Sequence, residues 1–200
     1  MSYARALENA WDAFRQAQGL SRAKPRDGLS HLTEDKILSV RLLADTYDID
    51  LKKRAILSNS CTVPAKEYVG IILLHYVARK SKSGSLPEPS GEWIGFNQLE
   101  GGEAYYPTFK KRTIDVIAKK YGSNPDALVK ASERFRATPA KSGDVGIVIE
   151  ALDNVPILIA LWRGDDEFGP EANINFDRHI SDIFCTEDVV VLTEFLAHSL

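Results

Sequence analysis

Residues 145–162 read VGIVIEALDNVPILIALW. Two apolar, β-branched runs, Val145–Leu152 and Val155–Trp162, flank the polar pair Asp153-Asn154. Such runs about a two-residue polar turn predict a β-hairpin. Downstream, residues 172–176 alternate, with Ile174 and Phe176 against Asn173 and Asn175, which predicts a third strand. The same period appears earlier. From Ile37, the apolar positions Val40 and Leu42, then Tyr47, Ile49 and Leu51, then residues 55–57, predict two or three short antiparallel strands. Their turns fall near residues 44–46 and 52–54.

Helical periods surround these strands. Leu7, Ala10, Trp11 and Phe14 share one face of a first helix, with Gly19 as its stop. Residues 21–32 are polar, hold Pro25 and Gly28, and read as a loop. Pro64 opens a second helix with Tyr68, Val69, Ile72, Leu73, Tyr76 and Val77 on its apolar stripe, widened by Ile71 and Leu74. Residues 81–92, SKSGSLPEPSGE, form a loop with too few elements on either side for two cores. Pro107 starts a helix to Tyr121 with Phe109, Ile114, Ile117 and Ala118 inward; Gly122 stops it, and Asn124-Pro125-Asp126 caps another. Thr186 caps a closing helix, with Glu187 and Asp188 in its first turn and Val189, Leu192, Phe195 and Leu196 buried. The order α-βββ-α-αα-βββ-α is not a repeated βαβ series. It predicts an α+β fold, a single domain in which an N-terminal meander and a C-terminal three-stranded unit pack against about five helices. Residues 1–36 are a helix and loop that join residues 37–200 in one compact unit.

The chain has 200 residues, 44% hydrophobic and 26% charged, a composition of ordinary soluble domains. No apolar run approaches the ~20 residues of a membrane span, and the acid-bearing start MSYARALENAWDAF is not a signal peptide, so the expectation is a cytoplasmic protein without membrane contact. The net charge of -3 hides an asymmetry. Residues 1–143 hold 23 Lys and Arg against 16 Asp and Glu, whereas residues 144–200 hold 2, Arg163 and Arg178, against 12. The acidic stretch suits a basic partner surface. No dense Lys/Arg stripe exists and the pI is 5.8, which argues against nucleic acid.

Three stretches carry a resemblance: IILLHYVARK (71–80), GEWIGFNQLEGGEAYYPTFKKR (91–112) and VPILIALWRGDDEFGPEANINFDRHISDIFCTEDVVVL (155–192). Over residues 37–200, in the order of parts as well as in these phrases, the chain resembles the prokaryotic domain-of-unknown-function family 3786. The resemblance implies no activity and no catalytic residues. The family occurs mostly in anaerobic bacteria and archaea, and the expectation for this chain is a subunit or ligand-binding component in anaerobic cofactor-dependent metabolism. Some members with an added cysteine-rich segment are described as iron–sulfur proteins. Here Cys61 and Cys185 stand far apart, and a cubane cluster needs four thiolates, so no cofactor is predicted and an iron–sulfur cluster held by one chain is disfavoured.

Three constellations carry possible chemistry. Trp93, Tyr105, Tyr106, Lys110 and Arg112 surround Gly101-Gly102 and supply ring faces, close backbone approach and positive charge, as a groove for a flat or anionic ligand requires. In extended backbone ahead of Pro107 the two tyrosines point to opposite sides, one into the core and one into a concave surface. The alternative is that these aromatics pin an irregular loop to the sheet. Asp165, Asp166 and Glu167 crowd a turn bounded by Gly164, Gly169 and Pro170; they are oxygen ligands for a hard cation, or the solvated tip of a hairpin. Asp177 and His179, near Cys185, are a base, metal ligands or a nucleophile pair, or else ties at a strand end. No phosphate-binding loop, nucleophile elbow or zinc-protease signature occurs. The expectation is a non-catalytic binding or accessory protein that takes a protein partner or small ligand. The alternative is a metal-assisted enzyme using Asp177, His179 and the acidic turn.

Overall fold

A computed structural model describes residues 3–21, 37–165 and 167–200. The polar loop expected over residues 21–32 lies almost wholly outside them, as does Asp166. The fold is α+β, and the chain divides into two compact units at Pro87/Glu88, inside the loop expected at residues 81–92.

The first unit joins helix α1 (Tyr3–Ser21), the meander β1 (Ile37–Leu42), β2 (Asp45–Asp50) and β3 (Ala55–Ser58), and helix α2 (Glu67–Ser83). The three strands pair in chain order, all antiparallel; the first turn lies at residues 43–44, a little before the expected 44–46, and the second at 51–54, taking in Leu51. Helix α1 packs along α2 and buries Ala10, Trp11 and Phe14. Helix α2 buries Ile72, Leu73, Leu74 and Tyr76, an apolar surface wider than one stripe. Two expected ends move. Gly19 does not stop α1, which runs to Ser21. Pro64 does not open α2; it bridges Leu57, while Ala65 N–H donates to Ile56 O, so the chain leaves β3 extended before the helix starts.

The second unit holds a five-stranded antiparallel sheet in the order β4-β8-β7-β6-β5. Its strands are β4 (Trp93–Gly95), β5 (Ala137–Ala140), β6 (Val145–Leu152), β7 (Val155–Trp162) and β8 (Glu171–Asp177). The expected three-stranded unit is its centre. The flanking β4 and β5 are three and four residues long, too short to show a period of two, and β5 contains Pro139, which suits an edge. The hairpin turns at Asp153-Asn154, with Asn154 at φ 61°. One sheet face presents Ile147, Ile149, Ile157, Ile159, Ile174 and Phe176, all buried. Helices α3 (Gly102–Arg112), α4 (Ile114–Tyr121), α5 (Pro125–Ser132) and α7 (Thr186–Ser199) accompany it, with α4 along β8 and α5 along β6, and the short α6 (Ile180–Ile183) follows β8.

Two helix starts differ from expectation. Helix α3 begins at Gly102, not Pro107, and ends in a break at Thr113 before α4. A side chain at Gly102 would stand 2.1 Å from the Phe96 carbonyl, so only glycine lets the chain double back onto the 3-10 turn Phe96–Gln98 and enter the helix early. At α7 the cap is Cys185, and Thr186 is the first helical residue, its hydroxyl donating to Glu100 O at 2.7 Å. No helix among the described residues is long and apolar enough to cross a membrane.

Candidate functional site

Strand β8 organises the chemistry of the second unit, because sequence-selected residues stand just before its start and at its end. Asp177, its last residue, is paired with Trp93 of β4 and is buried. Its carboxylate accepts Ser90 N–H (3.0 Å), Ser90 Oγ–H (2.7 Å), Gly91 N–H (2.6 Å) and His179 N–H (3.1 Å), and His179 Nδ1 lies 2.6 Å from Oδ1. Burial by itself would raise the Asp177 pKa. The Ser90 and His179 donors more than reverse that and hold the carboxyl well below the usual carboxylate range. His179 Nε2 donates to the Asn154 carbonyl at 2.7 Å, in the β6–β7 turn. The pair thus ties three segments together: the loop before β4, the hairpin turn and the end of β8. Outside it, Arg178 and Glu92 form a two-pronged exposed ion pair at 2.6 Å.

Asp177 and His179 stand side by side, with Oδ1 facing Ser90 and His179, Oδ2 facing Gly91, and both ring nitrogens facing groups of the chain. Cys185 stands at the N-terminus of α7. Desolvation of the thiol and the charge of Asp188, to which Sγ donates at 3.2 Å, push its pKa up to about 12. Neither Ser90, Gly91 nor Asn154 stood out in the sequence. Ser90-Gly91 read as loop punctuation and Asn154 as a turn residue, and only their long-range placement gives them a part.

The aromatic segment is arranged otherwise than expected. Tyr105 and Tyr106 lie inside α3, so successive side chains are about 100° apart around a helix rather than on opposite sides of a strand. Neither enters the core: Tyr105 is exposed and Tyr106 half-buried. The inward rings are Phe96 and Phe109, stacked at 3.9 Å and 4°, with Phe109 edge-on to Phe176 of β8. Lys110 is paired with Asp115, whose carboxylate raises the lysine pKa. Arg112 reaches Glu194 of α7 at 2.7 Å and the Tyr105 hydroxyl at 3.3 Å. Trp93 is partly exposed on β4. A surface depression lined by Lys130, Ala131, Glu133, Arg134 and Leu200 contains none of these five residues.

The acidic turn caps the other end of β8. Asp165 and Glu167 precede Glu171, and Asp177 lies six residues further along the strand, about 20 Å at the rise of a β-strand. The structure therefore separates the turn carboxylates from Asp177 and His179. Among the described residues no three His, Cys, Asp or Glu side chains converge to hold a metal. The turn is pinned. Asp165 Oδ1 accepts Glu167 N–H (2.9 Å) and Phe168 N–H (2.7 Å), bonds that lower its pKa, and Asp165 N–H donates to Phe168 O at 2.8 Å. Arg163 N–H donates to Asp144 Oδ2 at 2.8 Å. Pro170 lies over Gly122 at the end of α4, where a Cβ would meet its ring at 2.3 Å. On this pinned turn Phe168 is 69% exposed. In the sequence Phe168 stands beside acids that carry the more obvious chemistry, and a lone aromatic in a polar turn is its one signal.

Among the described residues of the first unit, a comparable cluster surrounds Asp45. Asp45 accepts Ser58 Oγ–H (2.5 Å), Ser60 Oγ–H (2.6 Å) and Thr46 N–H (2.8 Å), and Cys61 Sγ lies 3.1 Å from Ser58 Oγ. These bonds close the turn after β3.

A family model described as "Domain of unknown function (DUF3786)" matches residues 20–199, and the chain belongs to that family. No curated protein and no solved structure matches the chain.

Proposed function

We propose that this chain is a non-catalytic binding or accessory component of a cytoplasmic prokaryotic system, and that its acidic C-terminal stretch meets a basic protein partner. The observation that carries the reading is the condition of its candidate catalytic pair. The Asp177 carboxylate is occupied by donors from Ser90, Gly91 and His179, and both His179 ring nitrogens are engaged within the chain. A general base needs a free lone pair within reach of substrate, and a metal ligand needs one aimed at a cation. The metal-assisted alternative gains nothing from the geometry, since its two halves stand at opposite ends of β8.

The basic-partner element of the reading rests on charge. Residues 144–200 hold 12 Asp and Glu against 2 Arg, a field that speeds encounter with a cationic surface and weakens with salt. The test is affinity capture of the full chain from its source cells at low and high salt, with quantitative identification of what is retained, alongside elemental analysis of the purified protein. The expected result is a basic protein retained at low salt and released at high salt, with no stoichiometric metal. Retention that ignores salt, or stoichiometric bound metal, overturns the reading.

A further inference from the structure

We infer that the β7–β8 tip around Phe168 is the element that docks this partner, with Phe168 inserting into an apolar pocket bordered by Lys or Arg side chains; the inference rests on the reading above and names its surface. The argument starts from exposure. A phenyl ring left 69% exposed keeps most of its apolar surface in water. On either side of the ring the chain is fastened, at Asp144, at Asp165 and by Pro170 against Gly122. A large aromatic held out on a preorganised turn is what the centre of an interface uses, since ordering costs are already met in the free protein.

Charge then selects the occupant. Glu167 and Glu171 are exposed beside the ring, Asp165 adds its charge, and Arg163 is the lone basic residue from Trp162 to Asp177. Trp162 at the end of β7 adds a second partly exposed aromatic. Nucleic acid and anionic lipid surfaces are repelled by this rim. A second copy of the chain meeting tip to tip would bring the same acidic stretch to the encounter. A protein surface with an apolar pocket among cations meets both requirements, with rim charges steering approach and the ring supplying affinity.

The test places a photo-crosslinking amino acid at position 168 of the full chain in its source cells, and separately at the exposed Asp182 beyond the far end of β8. The expected result is one protein adduct from position 168 whose linked peptide is rich in Lys or Arg. That adduct should be strongly reduced when Glu167→Lys and Glu171→Lys are introduced together, with the unfolding transition unchanged. An adduct from position 182 alone overturns the tip as docking element while leaving the binding reading in place. No protein adduct from either position overturns both. An adduct with a second copy of the chain, or with a peptide lacking basic residues, overturns the assigned partner chemistry.

Discussion

The two ends of β8 carry the same chemistry, carboxylates beside a turn, and use it in opposite ways. At the C-terminal end Asp177 is buried, accepts bonds from a loop 86 residues earlier in the chain and from its neighbour His179, and holds three segments together. Before the N-terminal end Asp165 is exposed, accepts bonds from its own turn, and leaves Phe168 in solvent. An acidic side chain has no fixed meaning by itself. Where its donors come from distant segments and water is excluded, it is an internal tie; where its donors are local, it shapes a turn and its charge still faces outward.

The largest effect that separates the two ends belongs to Asp177→Ala. It strips the acceptor from Ser90, Gly91 and His179 and leaves a buried imidazole without its partner. Breaking one side of such a buried pair costs about 3–5 kcal/mol. Urea denaturation should show the midpoint fall accordingly. A loss no larger than that of a surface mutation would mean that this end is as open as the other.

Acid titration sharpens the same contrast. The folded-state pKa of Asp177 is depressed, so its contribution is fully present above the unfolded value of about 4 and is lost as pH falls below it. Wild-type stability should therefore drop more steeply than that of Asp177→Asn from about pH 5 downward, the two curves converging in strong acid. Parallel curves would show that the carboxylate is not the group that titrates.

How much of this could be read from the chain depended on the range of the interactions. The hairpin over residues 145–162, the meander and the helix faces rest on local periodicity, and the fold class followed from them. The ends of elements failed where a distant group intervened. Pro107 is a good first-turn residue, yet Gly102 lies against the Phe96 carbonyl and starts α3 a turn and a half earlier. Thr186 is a good cap, yet its hydroxyl is drawn to Glu100. At the candidate site Asp177 and His179 stand two residues apart in sequence and are legible there, whereas Ser90, Gly91 and Asn154 reach them across 25 to 87 residues and are not. The short strands β4 and β5 exist only because a longer neighbour offers them an edge.

A smaller effect is expected from Asp165→Ala. Removing the acceptor for Glu167 N–H and Phe168 N–H frees the turn, but those bonds reach no other segment. Amide hydrogen exchange should quicken over residues 164–170 while the global unfolding midpoint stays in place. A fall in the midpoint comparable to that of Asp177→Ala would make the tip a tie of the same kind.

The smallest effect belongs to Phe168→Ser. Full burial of a phenylalanine is worth about 1.5–3 kcal/mol, and a ring 69% exposed realises about a third of that at most, so the stability lost should stay under about 1 kcal/mol. The same deletion at Phe109, fully buried between Phe96 and Phe176, is of the class that costs about 3–5 kcal/mol, which calibrates the comparison within one protein. Paired urea curves of the two variants check this directly. If Phe168→Ser proved as damaging as Phe109→Ser, the ring would be packed in solution, and the open end of β8 would have no anchor to offer a partner. If it unfolds with the wild type, the aromatic contributes nothing to holding this fold and stays free to serve as the anchor of an interface.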